Sequence, residues 1–478
     1  MSHDRSLEAI FNPRSVAIAG AVTPGAGQAF LTCLLDSGYT GKIHVLSPKG
    51  GEVLGIKAYS NVKDVPGDID LVVSCVPAHL APRLLEDYAA KGVKAVSYYT
   101  AGFSEMGDIQ GRELDAELLR MARAGGVRVL GPNCIGVYNP KIGLSFSSDN
   151  PKDSGRVGLI CQSGGCIIYL VRAAGGRGVR FSKAVSYGNA LDIDETELLE
   201  YFGRDSETEV IAAYVEGIKD GRRFFKALKE VSSKKPVIVL KGGHTEAGAR
   251  AASSHTASLA GSDLVWNHLL TQAGIIRVYS LDEMVDMLVA FSYLDVPEGR
   301  VLAVIGGGGG FNVIATDAFT ASGFFMPPAP EAIRDKITKD IVEDLNTEAG
   351  FILSNPFDIT LLDSWEGQYK IFNNLAAWEE IDLLVCQSSV NSSAWPRSGF
   401  SYGTWPDQFT DTAIRIHNET GKPLAVILHN VISIFDAQRA LELRKKCCDA
   451  GLPVFESIAS AAKAIDRFMC YHERRAIK

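Results

Sequence analysis

Short apolar segments alternate with amphipathic segments along the whole chain. In the first third, the apolar segments at residues 16–19, 43–46, 71–74, 95–98 and 127–130 are typical of buried strands. Between them, residues 83–91 and 113–123 carry apolar positions at helical spacing. Strands that alternate with helices form parallel sheets that are covered on both faces. The pattern therefore predicts an α/β fold with a doubly wound sheet.

The same alternation begins again twice. Residues 157–161 open a second series, with later strands at 210–214 and 237–240, and residues 301–305 open a third, with strands at 382–385 and 424–428. Polar segments with proline or glycine at 149–154 and 295–299 are typical of linkers. Ser280 and Glu283 have the spacing of a capping box for the last helix of the second series. We predict three consecutive doubly wound units, with domains at 1–148, 149–296 and 297–478.

Composition excludes several classes of function. Of 478 residues, 46% are hydrophobic and 22% charged, as in ordinary globular proteins. The net charge of −8 with no basic run disfavours a nucleic-acid partner. No apolar run approaches the roughly 20 residues of a transmembrane helix, and the polar N-terminus lacks a signal-peptide core, so we expect no membrane partner.

The nine cysteines indicate a reducing compartment. None forms a Cys-x-x-Cys pair, and most lie inside apolar segments, as Cys75 and Cys386 do. Cys161 and Cys166 flank a glycine turn but have no histidine or cysteine at zinc spacing. We therefore expect a cytoplasmic protein with no metal site.

A glycine-containing turn follows the first strand, from Gly20 and Ala21 to Gly27. Such a turn lets a phosphate approach backbone amides and a helix N-terminus, although tight chain reversal also explains it. After the second strand, where an NAD site has an acidic residue, the chain has Lys49. Lysine suits a phosphate, so coenzyme A (CoA) fits better than NAD; NADP and a simple surface charge remain alternatives.

The second unit carries three candidates for phosphoryl chemistry. The turn from Gln162 through Ser163 and Gly164 to Gly165 precedes an apolar helical stretch, which suits either an anion or an ordinary strand-to-helix turn.

Glu216 ends a strand on the usual ligand side of a parallel sheet. His255 lies among the small residues 253–261, which we expect to form a loop. A neutral imidazole is a nucleophile near pH 7, and a carboxylate could orient it, although a lone loop histidine more commonly has no chemical role.

Five successive glycines, from Gly306 to Gly310, follow the first strand of the third unit. Such a run costs backbone entropy, which suggests a backbone that must approach a ligand such as phosphate.

Several motifs in a fixed order make the chain resemble the NDP-forming acyl-CoA synthetases, specifically the α-subunit of the ADP-forming acetyl-CoA synthetase type. That family also includes succinyl-CoA synthetase. The motifs are the first-strand segment 15–21, Gly131-Pro132-Asn133-Cys134-Ile135-Gly136, Gln162-Ser163-Gly164-Gly165, Tyr187-Gly188-Asn189, Glu216-Gly217-Ile218-Lys219-Asp220, the His255 segment and Ser354-Asn355-Pro356-Phe357-Asp358.

The resemblance implies a Rossmann-like CoA-binding domain followed by two flavodoxin-like CoA-ligase domains. It assigns the phosphohistidine to His255 and its stabilisation to Glu216. The CoA-binding positions that it implies are Gly20, Ala21, Lys49, Val76, Pro77, Ala101, Gly102 and Asn133. We predict phosphate contacts at Gln162, Ser163, Gly164, Gly165, Gly309 and Gly310.

Three segments depart from the family pattern. Val22 stands where members commonly have serine, and the third-unit turn keeps only Gly309 and Gly310 of the usual Thr-Asn-Ala-Gly-Gly-Pro-Gly. The segment Leu428-His429-Asn430-Val431 also differs from the usual glycine-rich version with small residues. The resemblance therefore does not identify the acyl group or the subunit contacts.

The three units account for the whole chain and leave no ATP-grasp domain or Gly-x-x-x-x-Gly-Lys-Ser/Thr loop. ATP or ADP and Mg²⁺ are then expected on a separate ATP-grasp β-subunit, in an α2β2 assembly. The expected reaction interconverts acyl-CoA, phosphate and ADP with a carboxylic acid, CoA and ATP. Two alternatives are a CoA-binding regulatory protein without turnover and an NADP-dependent oxidoreductase.

Overall fold

The computed structural model describes residues 3–21, 25–256, 262–341, 353–359, 362, 365–390, 405–429 and 431–476. The chain divides into two compact units. Unit 1 comprises residues 1–175 and 179–284, and unit 2 comprises 176–178 and 285–478. Unit 1 contains two sheets and unit 2 contains a third.

The first sheet has seven strands in the order β3-β4-β2-β1-β5-β6-β7. These strands are β1 (Ser15–Ala19), β2 (Lys42–Leu46), β3 (Gly51–Val53), β4 (Ile56–Tyr59), β5 (Leu71–Ser74), β6 (Ala95–Tyr98) and β7 (Arg128–Leu130). The helices of this part are α1 (His3–Phe11), α2 (Ala26–Asp36), α3 (Ala81–Lys91) and α4 (Ile109–Gly125). β1 pairs in parallel with both β2 and β5, so the chain reverses direction across the sheet at β1. Ligands bind outside the carboxyl ends of strands at such a switch point.

Helix α2 packs closely on the turn that follows β1. A Cβ atom on Gly27 would lie 2.6 Å from the carbonyl carbon of Gly20. Gly20 has a φ of +90°, and a Cβ there would lie 2.8 Å from the carbonyl oxygen of Cys75. Both glycines are therefore required by close backbone approach. Val22, where the sequence departs from the family, lies outside the described residues.

The second sheet has six strands in the order β13-β12-β11-β9-β10-β8. They are β8 (Gly136–Tyr138), β9 (Val157–Cys161), β10 (Phe181–Ser186), β11 (Val210–Val215), β12 (Val237–Lys241) and β13 (Ile276–Val278). The helices of this part are α5 (Gly164–Gly176), α6 (Glu195–Arg204), α7 (Gly221–Ser232), α8 (Glu246–Thr256) and α9 (Asp263–Gln272). Helix α10 (Leu281–Tyr293) begins in unit 1 and continues in unit 2. β8 pairs with β10 in the antiparallel direction. This strand of the second sheet comes from residues before the predicted domain boundary at residue 148.

The third sheet has five parallel strands in the order β15-β14-β16-β17-β18. They are β14 (Leu302–Gly306), β15 (Phe357–Asp358), β16 (Leu383–Ser389), β17 (Leu424–His429) and β18 (Val454–Phe455). The helices are α11 (Gly309–Ala321), α12 (Glu331–Ile341), α13 (Trp365–Ala376), α14 (Trp405–Thr420), α15 (Ile434–Asp449) and α16 (Ile458–Ala476).

The predicted α/β fold with three consecutive wound units is confirmed, and the exact domain boundaries stay a prediction. At the start of α10, the Ser280 hydroxyl accepts the amide of Glu283 at 3.1 Å, as a capping box requires. The Glu283 carboxylate accepts the amide of Tyr279, the residue before Ser280, at 2.9 Å, so this second bond differs from the standard capping box by one residue. Among the described residues, no helix is long and apolar enough to cross a membrane.

Candidate active site

A cavity of about 410 Å³ lies in unit 1, beside the carboxyl ends of strands from both of its sheets. Three turns form most of its wall: the one after β7, the one before α5 and the one after β10. Its lining residues are Tyr99, Ala101, Asn133, Cys134, Ile135, Gln162, Ser163, Gly164, Gly165, Ile168, Gly188 and Asn189.

The turn after β7 packs directly on the turn after β10. A Cβ on Gly188 would lie 2.2 Å from the carbonyl oxygen of Pro132, so only glycine fits there. The amide of Asn189 donates to the same oxygen at 3.0 Å, and the amide of Leu191 donates to Gly131 O at 2.9 Å. Asn133 has a φ of +57°, a conformation that asparagine tolerates better than most residues. These bonds join the two sheets of unit 1 along one wall of the cavity.

The N-terminus of α5 forms another part of the cavity wall. The Ser163 carbonyl accepts the amide of Ile167 at 3.1 Å, and the Ser163 hydroxyl accepts the amide of Cys166 at 3.3 Å. Gly164 and Gly165 form the first turn and line the cavity without side chains that would block it. Unpaired amides and the helix dipole at such an end favour an anion. This geometry suits the predicted phosphate site.

The side-chain oxygen of Gln162 contacts the carboxyl end of β11. Its Oε1 atom accepts the amides of Glu216 at 2.7 Å and Gly217 at 3.3 Å, together with the hydroxyl of Tyr187 at 3.3 Å. Because this oxygen is buried among protein donors, it supports the end of β11. A phosphate contact through the rest of Gln162 stays a prediction.

Glu216 is a buried carboxylate, only 6% exposed, at the carboxyl end of β11. The Tyr214 hydroxyl donates to its Oε1 at 3.1 Å. A Cβ on Gly242 would lie 3.3 Å from Glu216 Cγ, so this glycine leaves room for the carboxylate. Burial lowers the pKa of nearby Lys241, and the negative charge of Glu216 opposes that shift.

The backbone of His255 lies in the last turn of α8, so the prediction of a loop that begins at residue 253 was wrong. Alanine is a strong helix former, and the alanine-rich residues that precede His255 extend the helix to Thr256. The side chain of His255 and residues 257–261 lie outside the described residues. Within unit 1, α8 packs against a short 3₁₀ helix of one turn, Ser104–Met106.

The predicted CoA-binding residues share one edge of the first sheet. Gly20 and Ala21 follow β1, Lys49 follows β2, Val76 and Pro77 follow β5, Ala101 and Gly102 follow β6, and Asn133 follows β7. Ala101 and Asn133 also line the cavity. Lys49 and Pro77 are exposed, whereas Ala21 is fully buried and offers only backbone groups.

Gly309 and Gly310 form the first turn of α11 in unit 2, after Gly308 with a φ of +97°. A Cβ on Gly309 would lie 3.5 Å from an Asp358 carboxylate oxygen. This negative charge opposes a phosphate, so binding at Gly309 and Gly310 stays a prediction.

Glu105 and the side chain of Asn189 were not predicted from the sequence as parts of the site. Glu105 accepts hydrogen bonds from the turn after β6 and from Asn189, which lines the cavity. The three-residue spacing from Gly102 to Glu105 is typical of a side chain that accepts a backbone amide of its own turn. No local pattern reveals the second partner, Asn189, because it lies 84 residues away in the sequence.

Comparison with known proteins identifies both parts of unit 1. Residues 14–140 match the model of a CoA binding domain, and residues 154–291 match the succinyl-CoA ligase like flavodoxin domain. The chain is 37% identical over 480 residues to the alpha subunit of ADP-forming acetate–CoA ligase I of Pyrococcus furiosus, covering 96% of each protein.

A longer relative and a solved structure agree with this match. The ADP-forming acetate–CoA ligase of Methanocaldococcus jannaschii is 40% identical over 74% of this chain and 49% of its own length. The dinucleotide forming acetyl-coenzyme A synthetase 1 of Ca. Korarchaeum cryptofilum, solved with phosphate and ADP, superposes with a TM-score of 0.82 at 32% identity, covering 98% of this chain and 97% of that one. The chain therefore belongs to the ADP-forming acyl-CoA ligases and corresponds to their alpha subunit.

Proposed function

We propose that the unit 1 cavity is where acyl-CoA and phosphate exchange to give an acyl phosphate and free CoA. The observation that carries this proposal is the meeting of the Asn133 turn of the CoA-binding sheet with the N-terminus of α5 in one cavity. Family membership favours this reaction over a regulatory CoA-binding role or an NADP-dependent oxidoreductase.

In the first step, a phosphate oxygen attacks the thioester carbonyl carbon. The carbon–sulfur bond breaks, CoA leaves as a thiolate that takes up a proton, and the acyl phosphate remains. The amides of Gly164 and Gly165 are placed to hold the phosphate, since they form the first turn of α5. In the reverse direction the same groups hold the acyl phosphate for attack by CoA.

In the second step, a ring nitrogen of His255 attacks the phosphorus atom. The bond from phosphorus to the acyl oxygen breaks, the carboxylate leaves, and the histidine carries the phosphoryl group. Glu216 would accept the N–H of the other ring nitrogen and so stabilise the positive charge that develops on the ring. ADP then takes the phosphoryl group and becomes ATP.

We place ADP and Mg²⁺ on a separate ATP-grasp β-subunit, in an α2β2 assembly. The alpha-subunit relative and the single-chain relative of about twice the aligned length support this division. We also place the protein in a reducing cytoplasm, because most of its nine cysteines lie inside apolar segments and none forms a Cys-x-x-Cys pair.

Labelling tests the shuttle without knowledge of the acyl group. The complex is purified with its native partner subunit and incubated with ATP labelled in the γ-phosphate. The chain should gain an acid-labile phosphate on His255, because phosphohistidine is hydrolysed by acid whereas phosphoserine is not. His255→Ala should abolish this label and turnover, while CoA binding by the whole chain stays within about twofold.

His268 on α9 provides the matched control, because it is an exposed histidine of the same domain. His268→Ala should label like the wild type. Full turnover by the His255→Ala variant would refute the phosphohistidine shuttle.

A further inference from the structure

One carboxylate, Glu105, joins the turn after β6 to the cavity wall. Its Oε1 accepts the amides of Gly102 at 2.6 Å and Phe103 at 3.2 Å. Its Oε2 accepts the side-chain amide of Asn189 at 2.5 Å. Hydrogen bonds to an ionised acceptor are short and roughly twice as strong as neutral ones. Glu105 is thus held from both sides by three donors.

The partners of Glu105 belong to the two halves of the proposed reaction. Gly102 lies in the turn predicted to contact CoA and has a φ of +106°, and a Cβ on it would lie 3.3 Å from Ala78 Cβ. The ring of Phe103 is fully buried in the core of the first sheet and anchors that turn. Asn189 follows the second-sheet strand β10 and lines the cavity. Glu105 is therefore a bridge between the two sheets of unit 1.

The same bridge contacts the element that carries His255. Glu105 is the central residue of the 3₁₀ turn Ser104–Met106, and that turn packs against α8. A shift of the turn would consequently move the surface on which α8 rests. Glu105 and its 3₁₀ turn thus contact three elements: the turn that contains Gly102, the cavity wall at Asn189, and the helix α8 that carries His255.

We propose that Glu105 is a positioning residue that couples CoA binding to phosphate binding, an inference that rests on the proposed function. CoA fixes the turn that contains Gly102, and Glu105 transmits this order to Asn189 at the edge of the phosphate site. Whichever ligand binds first orders groups that the other needs, so each raises the affinity for the other by the same factor.

A carboxylate is required because all of its bonding positions are acceptors. Glutamine has one acceptor oxygen and one donor amide group. In Glu105→Gln, the new side-chain NH2 group points at a donor, either the Gly102 amide or the Asn189 side chain. The hydrogen bond on that side is therefore lost. The substitution keeps the shape of the side chain, so it tests the hydrogen bonds and not the packing.

Calorimetry on the whole chain tests the coupling. CoA is titrated with and without saturating inorganic phosphate. In the wild type, phosphate should tighten CoA binding on the order of 5-fold or more. In Glu105→Gln this factor should fall to about one. Asn189→Ala removes the same bond from the cavity side and should also reduce the factor, and the double variant should add nothing further.

Glu113 on α4 provides the control, because it is exposed and close in sequence. Glu113→Gln should keep the wild-type factor. A purely structural role for Glu105 would lower the unfolding temperature and leave the factor unchanged, and that result overturns the inference while the proposed function stands. Absence of coupling in a wild type that binds CoA overturns it equally, whereas absence of CoA binding contradicts the proposed function itself.

Discussion

The side-chain oxygen of Gln162 accepts the backbone amide of Glu216 at 2.7 Å, across 54 residues of sequence. This bond ties the turn before α5 to the carboxyl end of β11. The place of the Glu216 carboxylate is thus set from the same turn that would hold phosphate. A change at Gln162 should affect both the stability of unit 1 and the position of Glu216.

Gln162→Leu should destabilise unit 1 by about 2 kcal/mol. The variant keeps an apolar stem of similar size but leaves the buried amide of Glu216 without its acceptor, and a buried unsatisfied donor costs about 1–3 kcal/mol. Urea unfolding measures the loss. Gln110→Leu at the exposed start of α4 is the control and should change stability by less than about 0.5 kcal/mol. Equal stability of the two variants would show that Gln162 carries no such load.

The sequence predicted the sheets because their strands are apolar runs between amphipathic helices. The CoA-binding residues implied by the resemblance follow the carboxyl ends of strands in the first sheet, and parallel strands bring such ends together at one edge. The sequence did not predict β10, where the buried Lys183 interrupts the apolar pattern. Lys183 is only 1% exposed and bonds to Asp205 and Glu207, partners that no local pattern reveals.

The details of the site depend on contacts between distant segments. The position of Gln162 just before a helix N-terminus suggests a phosphate ligand, but its side-chain oxygen accepts the amides of Glu216 and Gly217 after β11. The bridge from Glu105 to Asn189 spans 84 residues. His255 was predicted in a loop because its neighbours are small, yet small residues such as alanine also continue a helix.

Lys49→Glu should weaken CoA binding by about 1–3 kcal/mol if the ammonium group meets a phosphate of CoA. Lys49 is exposed after the carboxyl end of β2 and forms no ion pair with the described residues, so a ligand can reach it. Lys42→Glu, at the amino end of the same strand, makes the same charge change at the opposite edge. Calorimetry on both variants separates a local contact from a general charge effect, and an equal loss in both would remove Lys49 from the site.

Relative to the wild type, the Glu195→Gln variant should be more stable at pH 8 than it is at pH 5. Glu195 is 2% exposed, and burial raises its pKa to about 7, while the charge of Asp194 adds to the shift and that of Lys219 opposes it.

The folded state therefore binds a proton that the unfolded state releases above its pKa near 4.5, and the wild type loses stability as the pH rises from about 4.5 to 7. Glutamine removes this dependence, so the difference between variant and wild type should grow by about 2–3 kcal/mol from pH 5 to pH 8. Urea unfolding at both pH values measures it, with the exposed Glu117→Gln as a variant that should follow the wild type.

Lys183→Met should destabilise unit 1 by about 3 kcal/mol at pH 7. The buried ammonium group bonds to Asp205 Oδ2 at 2.9 Å and to Glu207 Oε2 at 2.6 Å, and its removal leaves two neighbouring carboxylates without their shared cation. Lys141→Met is a matched control, since Lys141 bonds to the same Glu207 but is 60% exposed, so its removal should destabilise the protein far less than Lys183→Met does. Hydrogen bonds from Lys141 and Lys183 lower the pKa of Glu207, so their stabilisation is present above the unfolded pKa of about 4.5 and is lost as the pH falls below it. The difference in the free energy of unfolding between the wild type and Lys183→Met, measured by urea unfolding, should therefore become smaller from pH 7 to pH 3. A difference that stays constant across this range would mean that Lys183 acts through packing and not through its charge.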